Sequence, residues 1–446
     1  MKTNSYLLFL ILLTNPVFAG IPDSLSNAVF NHSVNSVHPY FSLLYDANFT
    51  ERAGTEDLLT LHYAWTRLED ILLRTQWFAE DMPSEKAAGV ILRSAKTAFL
   101  DLPIDAFTFV FAHEYFGHGM RLREFSNIQT KYHLIMPVYQ SGDGWAYTVA
   151  SIPLSYQQFA TIQAGGIEEQ VLLNREITMD WLASNELYYR DAELYLMSFL
   201  NYYISTIHAP GNGANNTILD DPSGYLLTLN TQAGFTGFNK PTMTPQAFHS
   251  RMALSIANPF VFYSLYSFFS SYLWQGEPVS EFPVLHFGKV QYLPALRSGM
   301  SPFGVAYHFD NYLRYGNNVS RISLTVGDGA FYPSWTGFDV SCRNIATSGR
   351  WSADINLALW NQPQLMLTGD QITWDRSNSV LVGIPGQLTG GGFGGALSAR
   401  GYYRLTHSDY SLAATAELGY KTIGFLEGYQ LEASPILLVG LAFQPK

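Results

Sequence analysis

The sequence predicts an α+β protein. A mainly helical domain covers residues 20–282, and an antiparallel β region covers residues 283–446, read as a transmembrane β-barrel of about eight strands. Three observations lead there. Apolar residues recur at helical spacing before residue 283, and after it they alternate one by one with polar residues. Aromatic residues make up 15% of the chain and charged residues only 14%, a balance that suits lipid-facing surface. The single cysteine, Cys342, rules out an intramolecular disulfide, so stability must come from packing or from a membrane.

Taken in order, residues 1–19 read as a secretory signal peptide. One lysine precedes an apolar run from Tyr6 to Leu13, Pro16 ends it, and Val17-Phe18-Ala19 stands before Gly20. The run is too short to span a bilayer. Helical periods follow from Glu56 to Phe78, from Ser84 to Phe99, through the segment ending at Gly119, from Gln157 to Leu182, and from Asn185 to Ile207. Pro210 to Asn216 is a glycine- and asparagine-rich connection. Met252 to Trp274 carries no charge over twenty-three residues, enough to span a bilayer, but Asn258-Pro259 and many hydroxyls predict a buried or interfacial aromatic helix. Net charge is −11 and no basic stripe exists, which excludes a nucleic-acid partner.

The β region is written in alternating segments: Val305 to Phe309, Arg321 to Val326, Phe338 to Cys342, Ser352 to Leu357, Leu397 to Tyr403, Ser411 to Tyr420 and Leu431 to Ala433. A soluble sandwich also alternates. The barrel is favoured because Ala, Gly, Leu and Tyr share one face while Ser, Asp, Arg and Glu fill the other. The final segment, Leu437-x-Val439-x-Leu441-x-Phe443, resembles the last strand of bacterial outer-membrane proteins, although Gln444-Pro445-Lys446 follow the aromatic. Gly390 to Gly395 lacks the Lys-Ser/Thr of a phosphate-binding loop and reads as a turn.

Chemistry concentrates in His113-Glu114-Tyr115-Phe116-Gly117-His118-Gly119. In the zinc motif H-E-x-x-H, histidines four apart share a helix face. Here they are five apart, which on a regular helix separates them by about 140°. Either a π-bulge realigns positions i and i+5, or the helix breaks at the glycines and swings His118 inward. Ala106 to Ala112 is uncharged, so Glu114 and both imidazoles lie in an apolar wall where coordination to a divalent cation would offset their desolvation. The bland reading makes them polar residues at a helix end.

Ala112-His113-Glu114-x-x-Gly117-His118-Gly119 resembles the H-E-x-x-x-H segment of TldD-type metallopeptidases, over eight residues. The resemblance implies Glu114 as the general base; that family's cysteine ligand has no counterpart, since Cys342 lies in a strand-like segment without the accompanying glycine-rich motif. Gln163-Ala164-Gly165-Gly166-Ile167-Glu168-Glu169-Gln170 is similar to the second helix of gluzincin-type zinc metallopeptidases, which supplies a glutamate as third ligand. This points to Glu168, ahead of its neighbour Glu169, beside a solvated helix start as the plain alternative. His62, His133 and His208 are reserve candidates.

The expectation is therefore an exported, outer-membrane Zn²⁺ hydrolase. His113, His118 and Glu168 bind the metal, Glu114 is the catalytic base, and the substrate is a peptide or protein of the bacterial cell envelope. The other expectation is a non-catalytic outer-membrane protein whose helical part is a plug or partner-binding module.

Overall fold

The computed structural model describes residues 41–73, 86–125, 128–134, 144–150, 154–208, 221–235, 243–365, 371–375, 380–384, 391–406 and 410–445. The expected signal peptide and the Pro210–Asn216 connection lie outside them. The protein is α+β, with a large antiparallel sheet wrapped against a helical layer.

Strand β1 (Phe41–Asp46) leads into helix α1 (Glu51–Leu73). A single helical rod then runs from Lys86 to Glu124: α2 (Lys86–Lys96), a π-helical turn (Thr97–Asp101), α3 (Leu102–Phe111), a second π-helical segment (Ala112–His118) and α4 (Gly119–Glu124). A hairpin of β2 (Ile128–Leu134) and β3 (Gly144–Ala150) follows. Helix α5 (Tyr156–Ser184) opens on a reciprocal cap: Gln158 N–H donates to Ser155 Oγ while Ser155 N–H donates to Gln158 Oε1. It closes at Asn185, in the left-handed region at φ 64°. Tyr156, Ala160, Leu172 and Leu182 are wholly buried, and the consecutive residues Glu168, Glu169 and Gln170, which helical geometry spreads around α5, are buried too. A helix buried all round is a central one.

Next come β4 (Glu186–Tyr188), α6 (Tyr189–His208), α7 (Asp221–Phe235), α8 (Pro245–Met252) with a 3₁₀ turn (Ala253–Ala257), and α9 (Pro259–Leu265) with a π-helical continuation (Tyr266–Gln275). The uncharged segment from Met252 to Trp274 is thus not one helix. It bends by 65° at Asn258-Pro259, because Pro259 has no amide hydrogen to continue the ladder and Asn258 caps the next helix through Phe260 N–H. Among the described residues no single helix is long and apolar enough to cross a membrane; this bent pair passes by length and composition alone.

Strand β5 (Val279–Glu281) pairs with β4. The main sheet contains β6 (Leu285–Phe287), β7 (Val290–Ser301), β8 (Gly304–Tyr315), β9 (Asn318–Gly327), β10 (Thr336–Ser348), β11 (Trp351–Pro363), β14 (Gly391–Arg404), β15 (Tyr410–Lys421), β16 (Ser434–Pro445) and β1. The small pair β12 (Gln371–Asp375) and β13 (Val380–Ile384) stands apart. The order β1-β16-β15-β14-β11-β10-β9-β8-β7-β6 corrects the expectation of a closed barrel of about eight strands. Ten strands are paired, and among the described residues the edge strands β1 and β6 do not meet, so the sheet is open. Leu431 to Ala433, expected as a strand, is a bend before β16, because the Leu431 carbonyl is taken by Gly424 N–H.

Antiparallel register places directly opposed residues on one face. Arg297, His308, Asp310, Arg321, Asp339 and Arg400 share the face toward the helices, with Glu417 opposite Arg400. The other face carries Phe309, Leu324, Leu359, Leu397, Leu418 and Leu437, and it is open, with Leu418 66% exposed. The polarity is inverted relative to a sheet that packs an apolar core.

Ion pairs satisfy the inward charges. Arg321 bridges Asp310 (2.9 Å) and Asp339, Arg400 bridges Glu417 (2.7 Å) and Glu56 of α1, and Arg343 reaches Glu176 and Asp180 of α5 at 2.6 Å each.

Candidate metal centre

The motif helix deviates from α-geometry where the spacing requires it. Residues Ala112–His118 form a π-helical segment, and backbone angles stay right-handed through His118 (φ −56°, ψ −39°) and Gly119 (φ −64°, ψ −39°). The extra residue is absorbed by a bulge, and the alternative of a glycine break does not occur. The glycines serve another purpose. A Cβ on Gly117 would lie 2.6 Å from the Gly165 carbonyl oxygen, and one on Gly166 would lie 2.3 Å from the His113 ring. The motif helix and α5 therefore cross at backbone contact, with His113 lying across Gly166.

This crossing brings His113 and His118 together, their Nε2 atoms 3.2 Å apart and their rings nearly perpendicular at 83°. The third group is Asp221, the first residue of α7. Its Oδ2 lies 2.9 Å from His113 Nε2 and 3.0 Å from His118 Nε2. Ligand atoms around tetrahedral zinc, at about 2.0–2.1 Å from the ion, are about 3.3 Å apart. The three atoms need to spread by only a few tenths of an ångström, so His113, His118 and Asp221 can hold a metal ion. The His118 Nδ1–H donates to the Ile162 carbonyl on α5 at 2.6 Å, which fixes the tautomer with a lone pair on Nε2. The His113 Nδ1 is buried with no hydrogen-bond partner among the described residues.

Without an ion the cluster is held by charge. Burial opposes protonation of His118, but the Asp221 carboxylate overrides it and pushes the imidazole up to about 10. For half-buried Asp221 desolvation is likewise overridden, and the two histidines hold its carboxyl far below the usual range. Glu114 is 6% exposed, and its carboxylate contributes to the charge on His118. Access is from the Asp221 side, whose side chain is 28% exposed against 14% and 10% for His113 and His118.

The structure does not bring the expected third ligand to the group. Glu168 is committed elsewhere: Arg121 donates to it from Nη2 (2.5 Å) and Nε (3.2 Å), and Gly428 N–H adds a bond of 2.7 Å. Its neighbour Glu169 takes a bond from Thr55 Oγ1 at 2.8 Å. Both carboxylates bond to Arg121, Gly428 and Thr55 and not to the imidazoles, because the helical phase of α5 turns Ile162 and Gly166 toward the motif helix's histidines. Of the reserve histidines, His62 is held by Asp191 (3.1 Å) and Asp105 (3.5 Å), and His133 lies on β2 outside the group. The His208 side chain lies outside the described residues. Cys342 sits on β10, where Ser320 Oγ donates to its sulfur.

Asp221 gave little signal in the sequence. Asp220-Asp221-Pro222 reads as an ordinary helix start, with an acid at the N-terminus and proline in the first turn. It is 103 residues from His118.

A cavity of about 140 Å³ lies elsewhere, between the polar face of the sheet and helices α1 and α5, with Arg52, Glu56, Asp354, Arg400 and Tyr402 in its wall. None of the three metal-competent residues lines it. No protein-family profile, curated protein or solved structure matches this chain.

Proposed function

We propose that this chain is a membrane-associated, zinc-dependent hydrolase, a metallopeptidase acting on peptide or protein substrates of the bacterial cell envelope. One observation carries the reading: a π-helical turn aligns His113 and His118 with Asp221, and Glu114 follows the first histidine. Two imidazoles and a carboxylate leave room for water or substrate, the donor set of a catalytic rather than a closed structural zinc site. Zinc bound there would polarise a substrate carbonyl and lower the pKa of a coordinated water. Glu114, buried and close enough for its charge to act on His118, is the group to take a proton from that water and return it to the leaving amine. Non-haem iron uses the same donor set; the adjacent Glu114 favours hydrolysis. The inverted sheet supports an outer-membrane setting, since a lipid-facing wall is apolar outside and polar within.

The test is metal analysis of the full chain purified in detergent, with hydrolysis of a quenched fluorescent peptide library. About one equivalent of zinc is expected, absent from His113→Ala and Asp221→Ala. Glu114→Gln should keep the metal and lose hydrolysis. An empty wild-type protein, or undiminished hydrolysis by Glu114→Gln, overturns the reading. An empty protein with wild-type stability in His113→Ala supports the non-catalytic plug instead, which is favoured by the way Asp221 Oδ2 engages the Nε2 atoms of both imidazoles.

A further inference from the structure

The sheet's inverted polarity extends onto the helices. On α2 the charged residues Arg93 and Lys96 are buried, while Ile91 (67%), Leu92 and Phe99 of the following π turn (70%) are exposed. On the segment from Pro259 to Gln275, Ser264, Ser267 and Ser271 are buried beside Phe260, Phe268 and Tyr272, while the outward face is apolar too, with Phe262, Leu265, Tyr266 and Phe269 exposed. On α1, His62, Thr66 and Glu69 are buried where Leu61 and Leu68 are exposed. Helices that pack on a soluble core show the opposite pattern.

These three helical segments lie in the gap between the sheet's edges, and specific bonds join them in a ring. Helix α1 covers the free edge of β1: Leu44 N–H donates to Asp57 Oδ1 at 2.6 Å, Thr60 Oγ1 donates to the Ser42 carbonyl at 2.8 Å, and the Phe41 and Tyr63 rings stack at 3.9 Å. Helix α1 joins α2 through the buried Glu69–Lys96 ion pair. Helix α2 joins the last helical segment through Arg93, whose Nε and Nη2 donate to the Leu273 carbonyl at 3.0 and 2.9 Å. That segment runs through β5 into the opposite edge strand, β6, whose Leu285 and Phe287 are again exposed.

We propose that the acyl core of a lipid bilayer surrounds this whole perimeter, so that the sheet's eight long strands and three helical segments form one continuous lipid-facing wall around a polar interior. The proposal rests on the membrane setting above and is independent of the metal chemistry. A strand needs about 9–11 residues at a 45° tilt to cross the acyl core, and β7 to β11 and β14 to β16 have 10–14. Helix α1, with 23 residues, spans about 35 Å at 1.5 Å per residue. An open sheet edge is not tolerated in lipid, because its backbone groups have no water to bond. Here the β1 edge is supplied by Asp57 and Thr60. The ion pairs of Arg400, Arg321 and Lys96 lie inside the wall, where intramembrane charges belong. The metal-competent group lies on the later part of the helical rod and on α7, not on the three helical segments of this wall.

The chain's single cysteine permits a direct test. In a Cys342→Ser background, Phe269→Cys reports on the helical side and Leu418→Cys on the strand side, each labelled with bimane. The full chain is reconstituted into phosphatidylcholine vesicles with or without bromine on the acyl chains. Both labels should lose emission about twofold or more in the brominated lipid, as groups at acyl depth do. Retention of circular dichroism by each labelled variant establishes that it is folded. Quenching at Leu418→Cys alone overturns the proposal and leaves a sheet-only membrane wall. Quenching at Phe269→Cys alone also overturns it. Quenching at neither site overturns both the proposal and the membrane setting on which it rests.

Discussion

Gly166→Ala isolates the role of the helix crossing. The added Cβ would stand 2.3 Å from His113 Cε1, 2.4 Å from Nε2 and 2.6 Å from Nδ1. Ordinary contact begins at about 3.4 Å, so the ring must retreat by about 1 Å, with overpacking strain of roughly 1–3 kcal/mol if it does not. Metal–ligand distances tolerate only about 0.2 Å. A retreat five times larger removes His113 from the group while leaving its chemistry intact. Metal affinity should fall at least as far as for a disrupted second shell, about 10–100-fold. The assay is competition for zinc between the metal-free protein and a chromophoric chelator. Circular dichroism would confirm the fold, and Gly401→Ala, whose Cβ meets nothing within 4 Å, is the control. Wild-type affinity in Gly166→Ala would refute the claim that backbone contact at Gly166 positions His113.

Four further outcomes are expected. Without metal, His118 is protonated below about 10, so zinc must displace that proton; apparent affinity should rise about tenfold per pH unit through the neutral range and level off only above about 10, measured by the same competition. The same raised pKa stabilises the metal-free fold fully below the unfolded value near 6.5, and that contribution is lost as pH rises through about 10, as thermal melts across this window should record. Glu168→Gln should retain zinc but lose about 3–5 kcal/mol of stability by denaturant titration, because it strips the bidentate partner from wholly buried Arg121; loss of zinc from a folded variant would restore Glu168 as a ligand. Leu418→Arg, on the outward face, should lower stability in vesicles by about 2–4 kcal/mol and hardly at all if that face meets water, as paired titrations in lipid and detergent would reveal.

What could be read from the chain alone followed from local pattern. Alternation from Val305 to Tyr420 revealed strands and their two faces, because side chains on a strand point to opposite sides with period two. The helix from Tyr156 to Ser184 was legible in the same way, to within two residues at each end. Five-residue spacing between His113 and His118 required a distorted helix if the two were to meet, and Ala112–His118 is π-helical. Strand β1 was not legible: it is six residues at the start of a helical region, and only pairing with β16, almost four hundred residues later, gives it a partner.

The third member of the metal-competent group illustrates the limit. Glu168 carried the better local signal, a carboxylate beside two glycines, and those glycines do make the helix crossing. Which carboxylate the crossing admits depends on the phase of α5 and on what else is near: Arg121 takes Glu168, and α7 delivers Asp221. No periodicity encodes an encounter across 103 residues. Sequence by itself therefore determined the α+β composition, the inverted sheet polarity and the distorted helix, all set by interactions within a few residues. Tertiary structure alone decided that the sheet stays open with helices across its gap, and that Asp221 rather than Glu168 faces the histidines, because both depend on which distant segments compete for the same space and charge.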